Sequence, residues 1–386
     1  MIKVCVLTAT RAEYGLLSPV IKKMNMDKDF EVKVVVTGAH LSPEFGLTYR
    51  EIEEDGVKIH RKIEMLLSAD TPSAISKSMG LAVISFADYF AENSFDCLLV
   101  LGDRYETLAV CFAAMNAQIP IVHMHGGEIT EGAIDDVIRH VITKMSYIHF
   151  TSTETYRRRV IQLGEEPTRV FCVGATGVEN AKCTQLLTKD ELLEELMLDS
   201  NKKYALVTFH PVTLAEKSSV DQVKELLKAM EQMDDIQYIV TEANADAEGR
   251  IINKMWHQFA DKKNNIYVFS SLGRKKYLSA VKYAEFVMGN SSSGIIEVPY
   301  FGVPTIDIGI RQKGRIKARS IIECDVDSYN ILDAIRRARS EEFKKIIKDT
   351  TNPYGDGNTS EKIIEILKER FDVGLIDLKK KFYDLT

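Results

Sequence analysis

No run in this sequence reaches the roughly 18 consecutive apolar residues that a membrane-spanning helix needs, so no membrane partner is expected. No CxxC pair occurs, and no Cys/His cluster has zinc spacing. Cys5, Cys97, Cys111, Cys172, Cys183 and Cys324 lie mostly within apolar runs and read as core thiols of a reducing compartment. Neither sign of charge dominates: 50 Lys and Arg against 56 Asp and Glu give a net charge of -6, which argues against nucleic acid as a partner. With only 9 Pro and 22 Gly in 386 residues, collagen-like and low-complexity character are excluded. The opening MIKVCVLTATR lacks the basic and long apolar regions of an export signal, so a cytoplasmic protein is expected. Two nucleotide signatures are also missing, the GxGxxG dinucleotide fingerprint and the GxxxxGKS/T phosphate loop. Their absence disfavours nicotinamide dehydrogenases and P-loop NTPases.

What is present is alternation. The length is about 2.6 times that of an ordinary domain, which predicts two. Apolar β-rich runs (IKVCVLT, EVKVVVTG, DCLLVLG, IPIVHMHG, YIHFTS, RVFCVG) alternate with helix-length segments, the pattern of parallel βαβ units. After the charged segment KDELLEELMLDSNKK the series restarts with YALVTFHPV, IQYIVTEA, NIYVFSS, FVMGNSS and VPTIDIG. The fold class is therefore α/β with two doubly wound, Rossmann-like domains. The expected boundaries are 1–178 for the first domain, 179–202 for a linker, 203–365 for the second domain and 366–386 for a helical tail.

In open parallel sheets, ligands bind beyond the carboxyl ends of the strands, and the residues there are unusually polar. The first strand ends at Arg11, and another in GDRYE, which sets Asp103, Arg104 and Glu106 at the sheet's mouth. HMHGGEITEGAIDDVIRH then gathers His123, His125, Glu128, Asp135, Asp136, Arg139 and His140. If DDVIRH is helical, Asp135 faces Arg139 and Asp136 faces His140 at i, i+4. Carboxylates sharing a cleft raise one another's pKa, which suits acid–base work; the spacing fits no standard metal motif. In the second half, His210 and Asn244 follow strands. Asn290-Ser291-Ser292-Ser293-Gly294 opens a short helix as a phosphate cradle, with Glu297 one turn inside and Pro299 limiting its length. Arg311, Arg315 and Arg319 are candidate countercharges for a diphosphate.

Taken in order, TRAEYG, VTGAH, LGDR, HGGE with AIDDVIRH, FHPVT, GNSSSGIIEVP and RQKGR resemble the hydrolysing UDP-N-acetylglucosamine 2-epimerases along nearly the whole chain. The resemblance implies two Rossmann-like domains facing across a cleft, as in B-type glycosyltransferases, with a C-terminal helix returning to the first domain. It implies that Ser291 and Ser292 hold a diphosphate with His210 and Arg11, that Glu297 takes the ribose, and that the backbone at Leu272 meets the base. Arg104, Asn244 and Arg311 correspond to further nucleotide contacts, and Asp103 and Asp135 to catalytic acids. Where many members read His-Ile-Glu-Gly-Gly-Glu, His125 replaces a catalytic carboxylate; either the imidazole takes over its proton transfer, or Glu128 and Asp135 share it. The implied reaction is anti elimination of UDP to a 2-acetamidoglucal, then syn hydration to free N-acetylmannosamine, with no cofactor and no metal. The alternatives are a UDP- or GDP-N,N'-diacetylbacillosamine substrate, a non-hydrolysing epimerase, a glycosyltransferase and a nucleotide-sugar sensor. A homodimer or homotetramer through first-domain helices is expected.

Overall fold

The computed structural model describes the chain apart from residues 70, 131–133, 213–216, 244–246, 373, 375 and 386. The chain divides into two compact units, each on its own sheet. Unit one takes Met1–Ile129, Ala133–Asn180 and Tyr354–Thr386, and unit two takes Thr130–Gly132 and Ala181–Pro353.

The strands of unit one are β1 (Ile2–Thr8), β2 (Phe30–Val36), β3 (Ile59–Lys62), β4 (Cys97–Leu101), β5 (Ile121–Met124), β6 (Ile148–Thr151) and β7 (Val170–Cys172). They lie in the order β3-β2-β1-β4-β5-β6-β7, every pair parallel. All of β4 and β5 is buried, as continuous apolar runs must be when helices cover both faces. The chain starts at the centre, winds out to β3 and returns to place β4 beside β1. That reversal puts the polar ends of β1, β4 and β5 side by side, where α/β sheets hold ligands.

The helix Arg11–Met26 contains Pro19, which cannot donate to the carbonyl of Gly15. Asn180 repairs the loss, its Nδ2 donating to that oxygen at 2.8 Å, with Ser18 Oγ at 3.3 Å. The last residue of unit one's second segment thus satisfies a group left open by a proline in its first helix.

Unit two repeats the winding with β8 (Lys203–Thr208), β9 (Ile236–Thr241), β10 (Ile266–Phe269), β11 (Phe286–Gly289), β12 (Thr305–Ile308) and β13 (Ile321–Cys324), ordered β10-β9-β8-β11-β12-β13. Trp256, Phe209 and Phe286 fill the core on one face. Leu192, Leu193 and Leu196 pack with Tyr204 on the other. The sequence reading differs at the boundaries. The segment expected as a linker contains the helix Lys189–Glu195, whose leucines pack into unit two. At the other end, the return to unit one begins at Tyr354, not residue 366. The whole helix Thr359–Asp372 belongs to unit one and buries Ile363 and Leu367 in its core. In both segments dense surface charge masks an apolar stripe of helical period.

Cys5, Cys97 and Cys111 are buried as expected, but Cys172 and Cys183 are exposed, the first closing an edge strand and the second ending a helix. Among the described residues, no helix is long and apolar enough to cross a membrane.

Candidate functional site

At the end of β1, Thr10 caps the helix Arg11–Met26 in a reciprocal capping box with Glu13. Glu13 Oε2 accepts the N–H groups of Ala9 and Thr10, both at 2.9 Å. Burial pushes its carboxyl up to about 7, with the backbone donors opposing. Arg11 turns to Glu51, 3.1 Å away. At the end of β4, Arg104 forms a fork with the buried carboxylate of Glu106, at 3.1 and 2.9 Å.

The segment AIDDVIRH is helical from Ile134 to Met145. Of the two expected i, i+4 pairs, Asp136–His140 forms and Asp135–Arg139 does not. Arg139 is buried and bonds Asp103, with Asp136 at 3.6 Å. Asp136 also meets His140 at 3.5 Å. Arg139 thereby fixes Asp103 across two strand ends, a contact that sequence spacing does not contain. Asp135 is half-buried and has no hydrogen bond or ion pair among the described residues. His123 is wholly buried, and its Nε2–H donates to the Gly102 carbonyl at 2.8 Å. Burial holds its pKa down to about 3, so it is a neutral structural group.

His125 is different. It follows β5 with φ of +65°, a left-handed conformation that costs a non-glycine residue of order 1 kcal/mol. Its N–H donates to Phe150 O at 2.9 Å. Nδ1 lies 2.9 Å from Glu128 Oε1, and the same oxygen accepts Ser152 Oγ at 2.9 Å. Nε2 is buried and has no hydrogen-bond partner among the described residues. The turn leaves no room for a side chain at Gly127, whose φ is +78° and whose added Cβ would stand 2.4 Å from the Tyr156 carbonyl oxygen.

In unit two, Gly289 ends β11 at φ +135°, where a Cβ would fall 1.9 Å from Thr208 O. That approach lets buried Asn290 clamp the backbone of His210: the His210 N–H donates to Oδ1 at 2.7 Å and Nδ2 donates to the His210 carbonyl at 2.8 Å. Arg311 and Gln312 both donate to the Asn290 carbonyl, at 3.0 and 2.8 Å. Burial, then Arg311, hold the His210 imidazole down to about 4. Ser291 caps the short helix Ser292–Ile296, which stops before Pro299. Ser293 is less free than its place in the loop suggests, since its hydroxyl accepts from Tyr277 Oη at 2.9 Å and donates to Glu297. Burial raises the Glu297 carboxyl. Gly294 packs on Thr305, and Leu272 buries its side chain, leaving its backbone at the start of the helix Gly273–Tyr283. Asn244 lies outside the described residues.

Sequence reasoning assigned no role to Glu13, Ser152, Tyr277 or Gln312, and placed Asn290 in the phosphate cradle, not as the clamp on His210. Of these, only Glu13 carried a local signal, the Thr10-x-x-Glu13 capping box; the others act across strands. Among the described residues, no three His, Cys, Asp or Glu side chains converge as metal ligands.

The sequence family described as UDP-N-acetylglucosamine 2-epimerase matches residues 22–368. The chain is 42% identical over 384 residues, 99% of each protein, to a Campylobacter jejuni protein described as GDP/UDP-N,N'-diacetylbacillosamine 2-epimerase (hydrolyzing). It is 38% identical to the polysialic acid biosynthesis protein P7 of Escherichia coli, over 100% of this chain and 98% of that one. Its fold is that of the Neisseria meningitidis UDP-GlcNAc 2-epimerase solved with UDP-GlcNAc, with a TM-score of 0.80 over 95% of this chain and all of that one, at 17% identity.

Proposed function

Since the chain belongs to the UDP-N-acetylglucosamine 2-epimerase family, we propose that it is a hydrolysing sugar-nucleotide 2-epimerase acting on UDP- or GDP-N,N'-diacetylbacillosamine. One observation carries the choice of sugar: the end-to-end 42% identity with the Campylobacter jejuni protein of that description. UDP-N-acetylglucosamine, giving N-acetylmannosamine for sialic-acid synthesis, is the second reading, favoured by the likeness to the polysialic acid protein.

In this proposal unit two carries the nucleotide. Ser291, Ser292 and the N–H groups opening their helix receive the diphosphate, with the neutral imidazole of His210 and the guanidinium of Arg311 beside Asn290. Glu297 takes the ribose hydroxyls and the backbone at Leu272 meets the base. Unit one carries the proton transfers. The unshared lone pair required of a base fits Nε2 of His125, which is buried and unpartnered among the described residues. It takes the proton at sugar carbon 2 while the diphosphate leaves carbon 1. Asp103, held by Arg139, and Asp135 serve the addition of water to the resulting glycal. No cofactor enters this sequence of steps. The protein acts in the cytoplasm, as a homodimer or homotetramer joined through first-domain helices; Ile84, Phe112 and Val141 are exposed apolar side chains on three of them.

Proton NMR in deuterated water, with each sugar nucleotide in turn and the signal at carbon 2 followed, tests the reading. The expected result is free 2-epimer deuterated at carbon 2, released with nucleoside diphosphate, at least about tenfold faster from the diacetamido sugar. The opposite preference moves the assignment to N-acetylmannosamine formation. Turnover of neither sugar sinks the reading.

A further inference from the structure

We infer that Glu128 and Ser152 are positioning residues for His125, holding its ring in the tautomer that carries the proton on Nδ1 and leaves Nε2 as a bare lone pair. The inference deepens the epimerase reading and rests on it for the reaction served, but the tautomer itself is a property of the resting protein.

Three observations converge. A carboxylate only accepts, so the ring nitrogen 2.9 Å from Glu128 Oε1 must donate. The Ser152 hydroxyl donates to the same oxygen at 2.9 Å, which fixes the carboxylate from the neighbouring strand end and leaves Nδ1 a fixed target. The backbone of His125 is held at φ +65°, between a ladder bond to Phe150 and a glycine pair that admits no Cβ at Gly127, so the ring is placed by a conformation that packing alone would not select. The outcome is a buried Nε2 with no partner among the described residues.

His123, two residues earlier and inside β5, shows the contrast. Its Nε2–H is spent on the Gly102 carbonyl, and its Nδ1 faces Thr143 Oγ1 at 3.4 Å. Unlike His123, His125 has a buried carboxylate behind one nitrogen and no partner at the other among the described residues, the arrangement of bases in hydrolytic triads. A carboxylate at position 125 would need no tautomer. An imidazole does, because a ring protonated on Nε2 can take no proton from carbon 2. Glu128 is therefore bound to the histidine's role and is not itself the group that meets substrate.

The test combines spectroscopy with kinetics. In protein labelled with nitrogen-15 histidine, with His125→Gln used to assign the signal, wild type should show a protonated Nδ1 and a bare Nε2 for His125. Glu128→Gln, which can offer a donor where the carboxylate offered only acceptors, should mix or invert the tautomers. It should lower kcat about 100-fold with KM within about threefold, and enlarge the isotope effect on carbon-2-deuterated substrate. Ser152→Ala, which removes one hydroxyl and spares the fold, should lower kcat about 3- to 10-fold. Added to His125→Gln, Glu128→Gln should cost nothing further. A wild-type ring protonated on Nε2, or a Glu128→Gln loss that multiplies undiminished with that of His125→Gln, would overturn the inference. Wild-type protein that turns over neither sugar nucleotide sinks only the reaction reading, and the nitrogen spectrum then decides the tautomer by itself.

Discussion

Glu13 carries a penalty that depends on pH. Its carboxyl is held, by burial, at about 7, above the ordinary carboxylate range of the unfolded chain. The folded protein therefore binds an extra proton between those values, and stability should fall as pH rises through that window, by roughly 3–4 kcal/mol at most. Glu13→Gln keeps an oxygen for the N–H groups of Ala9 and Thr10 and cannot ionise, so its denaturant midpoint should be flatter between pH 5 and 8 and higher than wild type at pH 8. A wild-type profile no steeper than the variant's refutes this. Gly127→Ala forces both a clash with the Tyr156 carbonyl and a left-handed φ, and should cost roughly 2–4 kcal/mol in urea unfolding. Legibility at this scale followed chain distance. His125 and Glu128, three apart, were visible as a cluster, whereas Ser152 joins them only because β5 and β6 are neighbours in the sheet. The same holds for Asp103 and Arg139: a helical wheel offered Asp135 as the partner of Arg139, and only the approach of this helix to the end of β4 supplies Asp103.

Among the elements, the strands were the readable ones, since runs such as CLLVL bury completely and polarity resumes where each strand ends. Less readable were the cores that the charged helices in KDELLEELMLD and SEKIIEILKERF join, and side chains that reach from one element to another. The helix Gly273–Tyr283 is an example. Its Tyr277 donates to Ser293, which donates to Glu297, so a helix with no ligand motif orients a carboxylate on the next strand-end loop. Tyr277→Phe should weaken UDP binding about 3- to 10-fold by calorimetry, with the fold intact. Unchanged affinity would separate Glu297 from the nucleotide.

For the whole molecule, the two units differ in how the chain completes them. Apart from Thr130–Gly132, unit two is one segment with its own core, and a fragment 181–353 should unfold cooperatively in a thermal scan. Residues 1–180 alone should stay aggregation-prone until 354–386 is supplied, because Ile363 and Leu367 fill the core beneath the helix Arg11–Met26, and Lys368 bridges Asp27 and Asp29. Soluble, cooperative 1–180 would contradict that account. Association is testable at this scale as well: Phe112→Lys should shift the sedimentation coefficient toward the monomer.

The return of the chain at Tyr354 also has a bearing on how the protein is made. On a ribosome, the first 180 residues emerge early, yet the helix that seals their core follows only after the whole of unit two, roughly ten to thirty seconds later at ordinary elongation rates. The order of maturation is therefore inverted relative to the order of synthesis: the later unit can finish first, while the earlier one waits, unsealed and open to chaperones, for the message beyond unit two to be read.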